Sequence, residues 1–337
     1  MAAELLSTHT PALFQQAVRA AVTRLRAGEV VALPTETVYG LAANALDAAA
    51  VAQIYEVKGR PAHNPIIVHV GGQDLARQCV ADWTPAAERL ACAFWPGPLT
   101  LVLPRAAAIP DLVTAGGATV GVRWPAHPFM QAVIRECGFP LAAPSANLSN
   151  QISPTNAAHV RAQLGGKIPL ILDGGQSQVG IESTVLDLTV TPPRVLRPGM
   201  IHAESLSAVG GEVQSPKSKV QSPDSTLRSP GLLVKHYAPK AKLMVLDWGD
   251  DAELEIKIKN LKFKIKNCFI IAHTKIPGHF PAENVSVIPH DAEAFARALY
   301  AELHRCDAAG AELIVVEAPP ESPEWSGIAD RLRRAAA

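Results

Sequence analysis

Between Pro34 and Val70 the chain reads PTETVYGLAANALDAAAVAQIYEVKGRPAHNPIIVHV. An apolar run, Val30 to Leu33, feeds a Pro-Thr-Glu-Thr turn, and a small-residue helix follows. Lys58 and Arg60 then bracket a glycine next to Pro61. A second apolar run, from Pro65 to Val70, carries His69. Two threonine hydroxyls, two cations, Asn64 and His69 therefore stand at element ends, where side chains leave a packed scaffold and enter a cleft. A guanidinium matches phosphate or carboxylate oxygens as a planar fork, while an ammonium meets them as a point charge. The glycine between them lets backbone approach a ligand closely. The set suits a substrate that carries both phosphate and carboxylate. Taken alone, the Lys58–Arg60 pair also suits a solvated loop, and His69 a satisfied core histidine.

Further clusters repeat the pattern. In TVGVRWP, Thr119 and Arg123 lie four apart on one face of a strand. An arginine closing an apolar strand needs solvent, an anion or a structural ion pair. In PLAAPSANLSNQISPT, Ser145, Asn147, Ser149 and Ser153 crowd a strand-to-helix connection. Small hydroxyls there can hold phosphate, and Ser153-Pro154 also reads as a helix N-cap with proline at the first position. In GIESTVLDL and VLRPG, Ser183 and Thr184 open a strand and Arg197 closes the next. In SPGLLVKHYAP, His236 and Tyr237 have no evident packing partner; a lid closing on a ligand and a domain-docking segment both fit. No Walker loop, no G-x-G-x-x-G after a strand, no H-E-x-x-H and no G-x-S-x-G is present.

The elements that position these groups fall into two regions. Strands are expected at 29–33, 65–70, 99–104, 118–123, 139–143, 169–172, 183–188 and 194–197. Helices are expected at 11–27, 47–57, 73–80, 84–94, 127–136 and 154–164. The irregular order favours a mixed α/β sheet. From 206 to 240 the composition turns Ser-, Pro- and Lys-rich, as in a linker. From 241 to 337 a strand–helix rhythm resumes, with strands at 242–247, 267–272, 284–288 and 312–316 and helices at 292–304 and 325–335. This reads as a small parallel α/β domain. Lys257, Lys259, Lys262, Lys264 and Lys266 alternate with apolar residues, which predicts a solvated strand or ribbon, with a basic RNA-contacting strip as the alternative.

The chain has 337 residues, 31 basic and 31 acidic, so its formal net charge is zero. That balance argues against nonspecific RNA binding as the main activity. Its 5 cysteines include no C-x-x-C pair, which supports reduced thiols and a cytoplasmic setting. The N-terminal segment reads as an amphipathic helix capped by Thr10 rather than a signal peptide. No apolar run approaches the roughly 18 residues of a membrane span.

Taken together, PTETVYGL, KGRPAHNPIIVHV, WPGPLTLVL, VGVRWPAHP, PLAAPSANLSNQISPT, DGG, GIESTVLDL, VLRPG and SPGLLVKHYAP resemble the threonylcarbamoyl-adenylate synthase family in its longer, Sua-type form with a YrdC-like domain. The ending GIADRLRRA is a weaker match. The resemblance implies a twisted mixed α/β sheet enclosing a basic cavity over 10–205, a linker or lid over 206–240, and a small Rossmann-like domain over 241–337. It implies condensation of L-threonine, bicarbonate and ATP to threonylcarbamoyl-AMP and pyrophosphate, feeding threonylcarbamoyladenosine formation in tRNA through a downstream transferase complex.

By motif position, Thr37, His69, Arg123, the backbone of Ala143 and Ser183 would hold L-threonine. Lys58, Arg60, Asn64, Thr119, Ser145, Ser153 and Arg197 would hold ATP, with His236 and Tyr237 closing over it. Lys58 and Arg60 would carry the chemistry. Mg2+ would accompany the triphosphate, held mostly by phosphates and without a protein metal cage; tRNA contact would be transient at most. The alternatives are a non-catalytic double-stranded RNA or tRNA-binding module, and a carbamoyltransferase using carbamoyl phosphate.

Overall fold

The computed structural model describes residues 2–215 and 235–337. These form two compact units, one built from 2–149 and 153–215, the other from 150–152 and 235–337. Much of the expected linker, including Ser229, lies outside the described residues.

The first unit holds ten strands: β1 (Glu4–Ser7), β2 (Val31–Leu33), β3 (Gly40–Asn44), β4 (Val68–His69), β5 (Leu99–Pro104), β6 (Thr119–Arg123), β7 (Leu141–Ala142), β8 (Leu170–Asp173), β9 (Thr184–Asp187) and β10 (Arg194–Arg197). They pair in the order β1-β8-β2-β3-β7-β4-β6-β5-β9-β10, with parallel and antiparallel neighbours mixed. Strand alternation divides the core between the two faces. Val31, Leu33, Leu170 and Leu172 pack with helices Pro11–Arg26 and Pro128–Cys137. Ala32, Leu41, Val68, Leu101, Val122, Ile171 and Leu186 pack with helices Ala48–Lys58, Pro85–Phe94 and Ala157–Leu164.

Two strands escape the sequence reading. β1 is a short edge strand recruited in parallel by β8. β3 is the small-residue run GLAAN, which pairs on both sides although it lacks the β-branched residues that mark most strands. The cap expected at Ser153 is also corrected. The helix begins at Ala157, and Asn156 caps it by accepting from the His159 N–H. Ser153 is fully buried and engaged elsewhere.

The second unit is an all-parallel sheet of β11 (Lys242–Leu246), β12 (Cys268–Ala272), β13 (Val285–Val287) and β14 (Leu313–Glu317), ordered β11-β14-β12-β13. The lysine-alternating strip is not a ribbon: Asp251–Asn260 is a helix. Leu254 and Ile258, four apart, are buried. Glu253–Lys257 and Glu255–Lys259 form i,i+4 ion pairs of 2.7 and 2.9 Å, and Asp250 caps the start. Helical spacing, acids in the first turn and lysines in the last outweigh the apparent two-residue period. No helix of the described residues is long and apolar enough to cross a membrane.

Candidate active site

The loop between β2 and β3 carries Thr35, Glu36 and Thr37, all buried. The segment 177–180 clasps its backbone: Ser177 Oγ donates to the Thr35 carbonyl at 3.0 Å, and the Val179 and Gly180 N–H groups donate to the Glu36 and Thr37 carbonyls at 2.7 and 3.1 Å. The adjoining strand end packs so closely that only glycine fits at 174, where a Cβ would lie 2.7 Å from Pro34 Cγ.

Arg123 ends β6 beside His69 of β4, in register. Its Nη2 donates to Glu36 Oε1 at 2.6 Å, its Nη1 to Thr37 Oγ1 at 3.0 Å and its Nε to the Gly97 carbonyl at 3.2 Å. Thr35 Oγ1 donates to the Val38 carbonyl at 2.6 Å and lies 2.9 Å from Thr37 Oγ1. Thr35 Oγ1 also accepts from the Thr37 and Val38 N–H groups at 3.2 and 3.3 Å, so the hydroxyl holds the turn closed and places Thr37 Oγ1 against Arg123.

Burial pushes the Glu36 carboxyl up, but the Arg123 guanidinium and backbone N–H groups outweigh it and hold Glu36 below its usual range. Burial and the Arg123 charge push His69 down to about 3, so its ring is neutral. Glu36 Oε2 and His69 Nδ1 are buried without a hydrogen-bond partner among the described residues.

Lys58 occupies the last turn of helix Ala48–Lys58. Gly59, in the left-handed region at φ +59°, terminates the helix and turns the chain to Arg60. Lys58 is only 2% exposed. Its Nζ donates to the carbonyls of Ser145 and Asn147 and reaches Asn147 Oδ1 at 3.4 Å. None of these acceptors is charged. Burial, then the neighbouring Arg60 charge, drives the Lys58 ammonium well below its usual range. Arg60 Nε and Nη2 bind the Asn64 carbonyl at 3.0 Å and Oδ1 at 2.8 Å, and Nη2 the Pro65 carbonyl at 2.6 Å. Asn64 Nδ2 is buried without a partner among the described residues.

Ser183 precedes β9. Its Oγ lies 2.8 Å from Thr100 Oγ1 of β5 and accepts from Arg197 Nη2 of β10 at 3.1 Å; Arg197 Nε holds the Ser183 carbonyl at 3.0 Å. Ser153 Oγ donates to Glu182 Oε1 at 2.5 Å. Since β4, β6, β5, β9 and β10 are sheet neighbours in that order and β6 and β10 run opposite to β5 and β9, His69, Arg123, Ser183 and Arg197 stand at one edge of the sheet; Ala143, just past the antiparallel β7, lies opposite Ile67, two residues before His69. Thr119 stands at the far end of β6, about 13 Å from Arg123 at the usual strand rise, and lines a hollow with Pro65, Thr100 and Gly121.

His236 and Tyr237 do have packing partners, contrary to the sequence reading. Both are buried in the second unit, Tyr237 beneath the Arg331 guanidinium. Sequence reasoning passed over Glu36, Thr100 and Glu182. The only available signal was an acid set between two threonines at a strand end, or one preceding Ser183.

The geometry has counterparts in known proteins. A family model described as telomere recombination matches residues 23–199, and one described as threonylcarbamoyl-AMP synthase, C-terminal domain, matches residues 201–337. The chain is 40% identical over 334 residues to a threonylcarbamoyl-AMP synthase of Bacillus subtilis, covering 98% of this chain and 94% of that one. It belongs to the threonylcarbamoyl-AMP synthase family. The Pyrococcus abyssi threonylcarbamoyl-AMP synthase is 40% identical over 318 residues, 94% of this chain and 93% of that one. A crystal structure of P. abyssi Sua5 complexed with L-threonine matches with TM-score 0.90 and 38% identity, over 100% of this chain and 98% of the other. The family, the mixed α/β fold with a second parallel-sheet unit, and the synthase activity read from the motifs all stand.

Proposed function

We propose that this chain is a nucleotidyltransferase that condenses L-threonine, bicarbonate and ATP to threonylcarbamoyl-AMP and pyrophosphate. One observation supports the site assignment above the rest: Lys58 is buried beside Arg60 with only uncharged acceptors. Burying an ammonium without a counter-ion is costly, and an incoming polyphosphate removes that cost. The Arg123 end is different, because Glu36 already balances its charge. There the hydroxyls, the neutral His69 and the guanidinium suit a small zwitterion.

The threonine amine attacks carbon dioxide derived from bicarbonate and loses a proton, giving a carbamate. A carbamate oxygen attacks the α-phosphorus, and the bond to the pyrophosphate oxygen breaks. Thr37, His69, Arg123, Ser183 and the carbonyl of Ala143, whose N–H is committed to Ile67, orient the amino acid. Lys58, Arg60, Asn64, Thr119, Ser145, Ser153 and Arg197 take the nucleotide, with His236 and Tyr237 covering it. Lys58 and Arg60 offset the charge gathered as two anions meet. Positioning and charge stabilisation carry the step without a dedicated general base.

Mg2+ would be held by phosphate oxygens and water and would neutralise the triphosphate. Among the described residues no group of three or more His, Cys, Asp or Glu side chains could cage it. We place the enzyme in the cytoplasm, with 10–205 as the catalytic domain, 206–240 as linker and lid, and 241–337 as the small domain. Its product passes to a tRNA threonylcarbamoyltransferase complex.

Pyrophosphate release tests this reading. It requires L-threonine, bicarbonate and ATP together, and omitting any one abolishes it. Release that depends on RNA instead, or that persists when carbamoyl phosphate replaces threonine and bicarbonate, contradicts it.

A further inference from the structure

The end of helix Ala48–Lys58 and the turn at Gly59 bring Lys58 and Arg60 together, and only one of these cations can give up its charge. A guanidinium keeps its proton in any folded protein, whereas burial readily neutralises a lysine amine. Lys58 is buried, and one loop holds it at both ends. The Ser149 N–H donates to its backbone carbonyl at 2.9 Å, and its Nζ donates to the Ser145 and Asn147 carbonyls. The side chain therefore cannot extend its amine into water, the usual escape for a long cationic side chain.

Counting hydrogens points the same way. A neutral amine has two and an ammonium three. The two carbonyls take two. The remaining contact, Asn147 Oδ1 at 3.4 Å, lies beyond the usual range of about 2.7–3.2 Å. A third hydrogen thus has no close acceptor among the described residues. The surroundings supply no compensating charge. The 145–149 loop brings only Ser, Ala, Asn and Leu, and the 59–65 loop brings Arg60 and the exposed His63. The helix itself adds the exposed Glu56, and Tyr55, whose hydroxyl reaches the Asn64 and Leu112 carbonyls. Burial and then the Arg60 charge both work against an ammonium here.

We propose that Lys58 is a neutral amine in the empty site and takes up a proton from solvent as the phosphates of ATP arrive, so that nucleotide binding itself creates the second cation. The Nζ lone pair forms the new N–H bond. The two carbonyls keep the hydrogens they hold, and the third hydrogen goes to a phosphate oxygen. The proton returns to solvent when product and pyrophosphate leave. The assignment of Lys58 to ATP underlies this role.

Titration calorimetry tests it on the full-length enzyme, with Mg2+ and a nonhydrolysable ATP analogue. Working at about pH 8, where phosphates that titrate near about pH 6 are fully ionised, two buffers of different ionisation enthalpy count the protons taken up. The parent takes up close to one proton per nucleotide. Lys58→Met takes up none and binds at least about tenfold more weakly. In the parent alone, the dissociation constant rises about tenfold from pH 8 to 9, because uptake of one proton adds one to the slope; that slope decides the matter by itself if the variant does not fold. A parent with no uptake and a flat profile, or a Lys58→Met enzyme that keeps the parent's uptake, overturns the proposal. The ATP assignment survives either result provided Lys58→Met binds more weakly. A Lys58→Met enzyme that binds the analogue as the parent does removes Lys58 from the nucleotide, and its proton with it.

Discussion

Arg123 and Glu36 meet at 2.6 Å with only 4% and 10% of their side chains exposed. Removing one partner of such a pair leaves an uncompensated buried charge, which costs about 3–5 kcal/mol. Glu36→Gln keeps the shape but not the charge. It should lower unfolding free energy by an amount in that range and raise KM for threonine more than tenfold through the disturbed Arg123–Thr37 contact. Urea titration and threonine-dependent kinetics check both. Unchanged values would show that Arg123 needs no counter-ion.

The buried histidine makes a pH prediction. His69 has its pKa pushed down from 6.5 to about 3, so below pH 6.5 the unfolded chain binds a proton that the fold refuses. The associated stability is complete above about pH 6.5 and is lost progressively as pH falls toward 3. Between pH 6.5 and 5 the loss is about 2 kcal/mol. Glu36 adds to the acid limb only below its unfolded value of 4.5, since its folded pKa lies lower still. His69→Gln should flatten the profile between pH 6.5 and 5 when unfolding free energy is measured across that range; an unchanged slope would mean that His69 is protonated in the fold.

Lys58 and Arg60 should tolerate replacement poorly. A charge-assisted phosphate contact contributes about 1.5–3 kcal/mol, so Lys58→Ala or Arg60→Ala cuts adenylate formation at least tenfold. Lys58→Ala also releases the Ser145 and Asn147 carbonyls, whereas Arg60→Ala frees Asn64. Wild-type rates in both variants would remove these residues from the site.

The contact of Gly174 with Pro34 predicts a local defect. Gly174→Ala places a Cβ 2.7 Å from Pro34 Cγ and 3.2 Å from His127 Cε1. The Pro34–Thr37 loop must shift, at a cost of about 1–3 kcal/mol for overpacking, and KM for threonine rises with it. A melting curve and threonine kinetics that match the parent would mean that the loop yields freely.

Much of this was legible in the chain. Arg123, Ser183 and Arg197 stand at strand ends because short apolar runs stop there, and β5 and β10 have the bounds the pattern gives. The second unit's strands fall within about one residue of expectation. What stayed hidden depended on tertiary partners. β1 and the alanine-rich β3 are strands because β8, β2 and β7 pair with them. Helix Asp251–Asn260 hid behind lysines that also fit a strand period. Glu36 gave no sign that it would face Arg123 across 87 positions, and His236–Tyr237 looked idle until Arg331 came beneath the ring.

Crystals soaked with L-threonine and a nonhydrolysable ATP analogue test the assignment most directly. Phosphate oxygens are expected about 3 Å from Lys58 Nζ and the Arg60 guanidinium, with the amino acid seated against Thr37, His69 and Arg123. Density for the nucleotide at any other place, with Lys58 still bound only to the Ser145 and Asn147 carbonyls, would contradict it.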